Sequence, residues 1–113
     1  MIQRKITYYL NSDEKRTLDR QLIRELKKLA SKHSLQYALL WYIYLVRGAT
    51  LRELYRIYRY LSGKYIRENT VHKQLQMLER KGLIRRQGDS YYSLVDPEDV
   101  ADLFDKEGVE QEE

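Results

Sequence analysis

Between Arg67 and Arg80 lies a set of side chains suited to reading nucleic acid. Asn69, His72, Lys73, Gln76 and Arg80 recur at spacings that a helix, turning about 100° per residue, gathers on one face, with Arg67 and Thr70 beside them near its start. Asn and Gln can pair bidentately with adenine, and Lys or Arg can reach guanine acceptors or phosphate oxygens. No acidic residue interrupts that face, since Glu68 and Glu79 fall to its sides. A second cationic set follows, Arg85 and Arg86 with the turn residues Gly88, Asp89 and Ser90. A third precedes it, with Arg52, Arg56 and Arg59 on one helical face and Tyr55, Tyr58 and Tyr60 between and beside them. Tyrosines so placed could stack on bases or sit half-buried in the core, and Tyr58 is the one expected inside.

Bond-making chemistry finds no such constellation. The two histidines, His33 and His72, are far apart and in no metal-binding or Ser/His arrangement, and the chain has no cysteine and no Gly-rich phosphate loop. Asp96, Asp99 and Asp102 form an acidic run without the ligand pattern or glycine of a calcium loop. No enzyme activity, cofactor or metal is expected.

The elements that must position these residues can be read from periodicity. Ile2, Ile6, Tyr8 and Leu10 suggest a short strand or arm, and Asn11 with Glu14 can cap a following helix. Leu18, Leu22, Leu26 and Leu29 define an apolar stripe on that helix, which runs to about Lys32 with Arg16, Arg20, Arg24, Lys27 and Lys28 opposite. Its outer face could be solvated, meet DNA or form a dimer. A second helix, from His33 or Ser34 to Arg47, is apolar nearly all round and must be central, with Tyr37, Trp41 or Tyr44 available for cover by a second subunit.

Gly48 suits a left-handed cap, and Thr50 with Glu53 forms a capping box for a third helix to about Leu61 whose Leu51, Leu54, Tyr58 and Leu61 face inward. After Ser62-Gly63 a fourth helix begins at Tyr65, with Val71, Leu75 and Leu78 inward and residues 67–81 as its base-reading part. Residues 83–87 and 91–95 are two β-prone runs joined by turn residues, a hairpin. Asp96-Pro97 ends it, Val100, Leu103 and Phe104 could dock as a short helical piece, and the acidic end beyond Lys106 is expected to fray.

The chain thus reads as mainly α with a small antiparallel hairpin. It divides into an N-terminal arm and amphipathic helix (1–33), a core unit (34–95) and an acidic tail (96–113). Charge divides the same way: residues 1–95 carry 20 Lys and Arg against 8 Asp and Glu, residues 96–113 one Lys against 9 acids. A basic body suits a polyanion, because each cation that neutralises a phosphate releases condensed counterions. A charged fraction of 34% with 11 tyrosines, few glycines and one proline leans towards a thermophilic source. With no long apolar run and no secretory leader, the expected place is the cytoplasm, away from membranes.

The run from Thr70 through Val71, Leu75, Leu78, Glu79, Gly82, Leu83 and Ile84 to Arg86, followed by Gly88 and Tyr92-Ser93-Leu94, resembles winged helix-turn-helix transcription regulators of the PadR, MarR and ArsR kind. Thr50 to Leu54 resembles the start of their preceding helix. The resemblance covers residues 34–95. It implies a recognition helix at 67–81, a wing at 83–95 whose Arg85, Arg86 and tip lie along double-stranded DNA, and a homodimer on a two-fold site. Whether a small-molecule effector binds is not implied. Other readings of the same basic body are a protein-interaction module and a non-specific architectural DNA binder.

Overall fold

The computed structural model describes residues 20–104. Mainly helical, it contains α1 (Arg20–Lys32), α2 (Leu35–Val46), β1 (Ala49–Thr50), α3 (Leu51–Ser62), α4 (Glu68–Arg80), β2 (Ile84–Gln87), β3 (Ser90–Ser93) and a closing 3-10 segment (Pro97–Phe104). The expected arm at 2–10, the cap at Asn11 and the acidic end beyond Lys106 lie outside the described residues.

Helix α2 is the centre, as its all-round apolar character requires. Every residue from Gln36 to Val46 except Tyr44 is buried. Around it pack α1, α3, α4, β1, β3 and the 3-10 segment. Ser34 starts it, its hydroxyl accepting the Tyr37 amide at 3.1 Å. The stop differs in detail from the sequence reading: Arg47, not Gly48, is the left-handed cap, at φ 56° and ψ 56°, with its N–H donating to the Ile43 carbonyl at 3.1 Å. Gly48 is needed one residue later, at φ 116°, for a different reason. A Cβ there would stand 2.8 Å from Tyr92 Cε2, so the glycine lets the β3 ring come close to the turn.

The turn out of α2 also forms a strand that the sequence does not announce. Ala49 and Thr50 pair antiparallel with Tyr91 and Ser90, which puts β3 between β1 and β2 in a three-stranded sheet. Two residues are too few to show a period, and the pairing exists only because the hairpin folds back onto α2. Thr50 then serves twice. Beyond its strand pairing, its hydroxyl accepts the Glu53 amide at 3.2 Å while the Glu53 carboxylate accepts the Thr50 amide at 3.0 Å, the expected capping box. The Tyr42 hydroxyl donates to the same carboxylate at 3.1 Å, tying the start of α3 to α2.

In α3, Leu54, Tyr58 and Leu61 are buried as read, Leu51 is half-buried, and Ile57 is buried with them. Leu22 and Leu26 of α1 and Phe104 of the 3-10 segment complete the same core. Tyr37 and Trp41 are covered by the chain itself: the Tyr37 ring lies 5.2 Å from that of Phe104, and its hydroxyl donates to the Pro97 carbonyl at 3.0 Å. A second subunit is not needed for either, and of the three rings only Tyr44 is exposed. Within the 3-10 segment, which is kinked at Val100, Pro97 and Phe104 are buried and Val100 half-buried, whereas Leu103 is exposed.

Two features of this packing can be tested through stability. Gly48→Ala should cost about 1 to 3 kcal/mol, since it combines an unfavourable φ with a clash on Tyr92; urea unfolding that left the midpoint unmoved would contradict the turn geometry. Burial raises the hydroxyls of Tyr37, Tyr58 and Tyr91 above the ordinary tyrosine value of 10.0. Below that pH both folded and unfolded chains hold these protons and stability is complete; above it the unfolded chain releases them first, so stability should fall as pH rises towards the folded-state values. Thermal melts from pH 8 to 11 test this, and a flat profile would contradict it.

Candidate nucleic-acid interface

Helix α4 is placed by what it buries. Val71, Leu75 and Leu78 are fully inside, and this fixes which side looks out. Asn69, Lys73, Gln76 and Arg80, at spacings of 4, 3 and 4, are all exposed and form one stripe along the helix. Thr70 and His72, expected on or beside the outer face, are half-buried at its two flanks. Glu68 and Glu79 are exposed outside the stripe, on the His72 side.

Polar contacts lock the rotation of the helix. Buried Gln36 of α2 donates to the Gln74 side-chain oxygen at 2.7 Å and accepts from Lys81 Nζ at 3.4 Å. The Lys81 ammonium also sits 4.8 Å from the centre of the Phe104 ring. Lys81 is therefore a tether between α2, α4 and the 3-10 segment, and the outward stripe is presented by a helix held at its far end.

The near end differs from expectation. Residues 65–67 are not helical; α4 starts at Glu68, and Arg67 is its N-cap, in extended conformation (φ −74°, ψ 149°) without a side-chain cap bond. An arginine side chain has no acceptor to offer the first-turn amides; that of Thr70 donates to the Arg67 carbonyl at 3.0 Å, and Arg67 stands exposed beside the helix start.

The hairpin divides the two wing arginines. Neighbouring strand residues face opposite ways, and Arg85 pairs with Tyr92 whereas Arg86 pairs with Tyr91. Arg85 points outward with Gln87, to whose side-chain oxygen it donates at 3.1 Å. Arg86 lies on the side of buried Tyr91, 5.8 Å from its ring centre, and bends back to donate from Nε to the Gly88 carbonyl at 3.1 Å. The Tyr91 hydroxyl, raised chiefly by burial, is drawn partly back by the Arg86 charge, while Glu79 works in the opposite sense. The two arginines are thus not a single patch. Ser90 belongs to β3, and the turn is Gly88 and Asp89 alone, with Gly88 at φ 64° in the first loop position, where a type II′ turn places glycine.

On α3, Arg52, Arg56 and Arg59 are all exposed. Arg59, grouped with Arg52 and Arg56 in the sequence, has Lys64 and Tyr65 of the turn before α4 as neighbours that the sequence does not single out. Arg59 proves to be stacked, its guanidinium 5.8 Å from the Tyr55 ring centre and 5.4 Å from that of Tyr65. The spacing of Tyr55 and Arg59, one helical turn apart, could have signalled the first pair; nothing local signals the second. Among the described residues no group of acidic, His or Cys side chains could hold a metal ion, and no helix is long and apolar enough to cross a membrane.

Arg67→Ser should separate stability from binding. A serine hydroxyl at this extended cap position would take a first-turn amide and add about 0.5 to 1 kcal/mol of stability, while removing a cation and filling the acceptor role itself. A rise of a few degrees in Tm with weaker nucleic-acid binding is expected. A lower Tm would contradict the cap assignment.

No protein-family model, curated protein or solved structure matches this chain, so the reading of the interface rests on its own residues.

Proposed function

We propose that this chain is a winged-helix protein that binds double-stranded DNA sequence-specifically, as a homodimeric transcription regulator. The observation that carries the proposal is the acid-free exposed stripe of Asn69, Lys73, Gln76 and Arg80 on the second helix of a pair joined by a tight turn. That is the helix which helix-turn-helix proteins insert into the major groove. The order helix, strand, helix, helix, hairpin, with β3 between β1 and β2, supports the winged-helix reading.

Simple dimensions agree. A helix with its side chains is about 10 to 12 Å across and the major groove about 12 Å wide. With α4 inserted, Gln76 and Asn69 have the amide chemistry for adenine, and Lys73 and Arg80 reach guanine or phosphate. Arg67 and the uncapped first turn of α4 would take a backbone phosphate, a role also suited to Arg52 and Arg56 of α3. Outward-facing Arg85 is the wing residue best disposed for the backbone; Arg86, folded against Gly88 and Tyr91, stiffens the tip. The charge balance favours such a partner: residues 35–95 hold eleven Lys and Arg against four acids, and one of the four, Glu53, is engaged in its capping box. The homodimer is proposed from the family resemblance, and its natural readout is a two-fold site.

Selection of preferred sequences from a random duplex pool tests the whole proposal. A two-fold motif is expected; tight, motif-free binding would make the protein an architectural binder, and no retention even at low salt would reject DNA as the partner. Within a selected site, Lys73→Ala and Gln76→Ala should relax base preference, at about 1 to 3 kcal/mol for each bidentate base pairing removed. Arg85→Ala should weaken all sequences alike and lower the salt slope by about 1. Unchanged affinity and specificity in all three would show that another face is used.

A further inference from the structure

At the end of α3 remote from its capping box, the helix runs into Gly63, Lys64 and Tyr65. Helix and turn enclose a groove of about 540 Å³ lined by Arg56, Arg59, Tyr60, Gly63, Lys64 and Tyr65. Residues 56, 59, 60 and 63 share one helical face, and the positive φ of Gly63 (74°) swings Lys64 and Tyr65 round to close the other side. Among the described residues three cations and no acid line it. Tyr60 is 43% and Tyr65 71% exposed, so both rings show large apolar faces to solvent. Tyr65 is nonetheless not isolated: the Arg59 guanidinium lies 5.4 Å from its ring centre and 5.8 Å from that of Tyr55.

Chemically this groove is the converse of the α4 stripe. The stripe offers amides and cations, which read base edges, and no ring. The groove offers rings and cations but no Asn or Gln. Rings recognise base faces, and in a duplex those faces are covered by neighbouring pairs; only an unpaired nucleotide exposes them. We propose that the groove is a subsite for an unpaired nucleotide, with the phosphate taken by Arg56 and Lys64 and the base stacked on the face of Tyr65 that Arg59 leaves open. A free mononucleotide and a nucleotide within a single strand share this chemistry.

The probes are thymidine monophosphate, an oligothymidylate of about eight nucleotides and inorganic phosphate, each titrated into the full chain and followed through the amide resonances of residues 63–65. Both nucleotide probes should move these resonances, and Tyr65→Ala should weaken them on the order of tenfold, with Tyr65→Phe restoring binding. Response to the oligonucleotide alone would assign the site to strands; response to both admits free nucleotides too. The proposal fails if inorganic phosphate matches the monophosphate, if Tyr65→Ala binds as the unaltered chain does, or if the shifts fall elsewhere. Duplex affinity, measured on the same variants, should not change with Tyr65→Ala. A failure of duplex reading by α4 and a failure of this subsite therefore give different results.

Discussion

The structure depends on one constraint: α2 has almost no polar side, so every direction around it must be covered. A chain of this size has little to cover it with, and the solution uses nearly every described element. α1 supplies Leu22 and Leu26, the hairpin supplies Tyr91, and Phe104 closes the side of Tyr37. Burying such side chains at roughly 1.5 to 3 kcal/mol each is the term that orders the rest. α4 is one of these covers. Its outward stripe is a by-product of burying Val71, Leu75 and Leu78 against the centre, with Gln36 and Lys81 fixing the last few degrees of rotation.

Much of this was legible because helical periods are local. The recurrence of Leu22 and Leu26, or about two turns from Val71 to Leu78, reveals a buried face without knowledge of its partner, and the Thr50 to Glu53 box marks a helix start in four residues. What stayed hidden depends on distant parts of the chain. β1 exists only as a neighbour of β3. Tyr37 is covered by residues some sixty positions away. Arg47 takes the left-handed conformation that glycine adopts more readily, since the neighbouring Gly48 is reserved for the still wider φ that lets Tyr92 approach.

The candidate interface divides in the same manner. The stripe at 69, 73, 76 and 80 follows from helix geometry and was readable, apart from Thr70 and His72, whose partial burial reflects the width of the contact that α4 makes. The opposite facing of Arg85 and Arg86 is implicit in any strand, but which of them turns outward is decided by the pairing with Tyr92 and Tyr91. The stacking of Arg59 on Tyr65 was beyond reach, because residue 65 was read as helical and is instead part of an extended turn.

β2 has a strand beside it on one side only among the described residues, so its other side is an edge of the described sheet. Such an edge is a template on which a second chain can add a strand, and bulky charges are the usual deterrent. Two arginines in four residues, projecting to opposite faces, guard this edge from both sides. Their charge therefore bears on solubility as well as on any polyanion, and a strand so protected is a poor template for another chain.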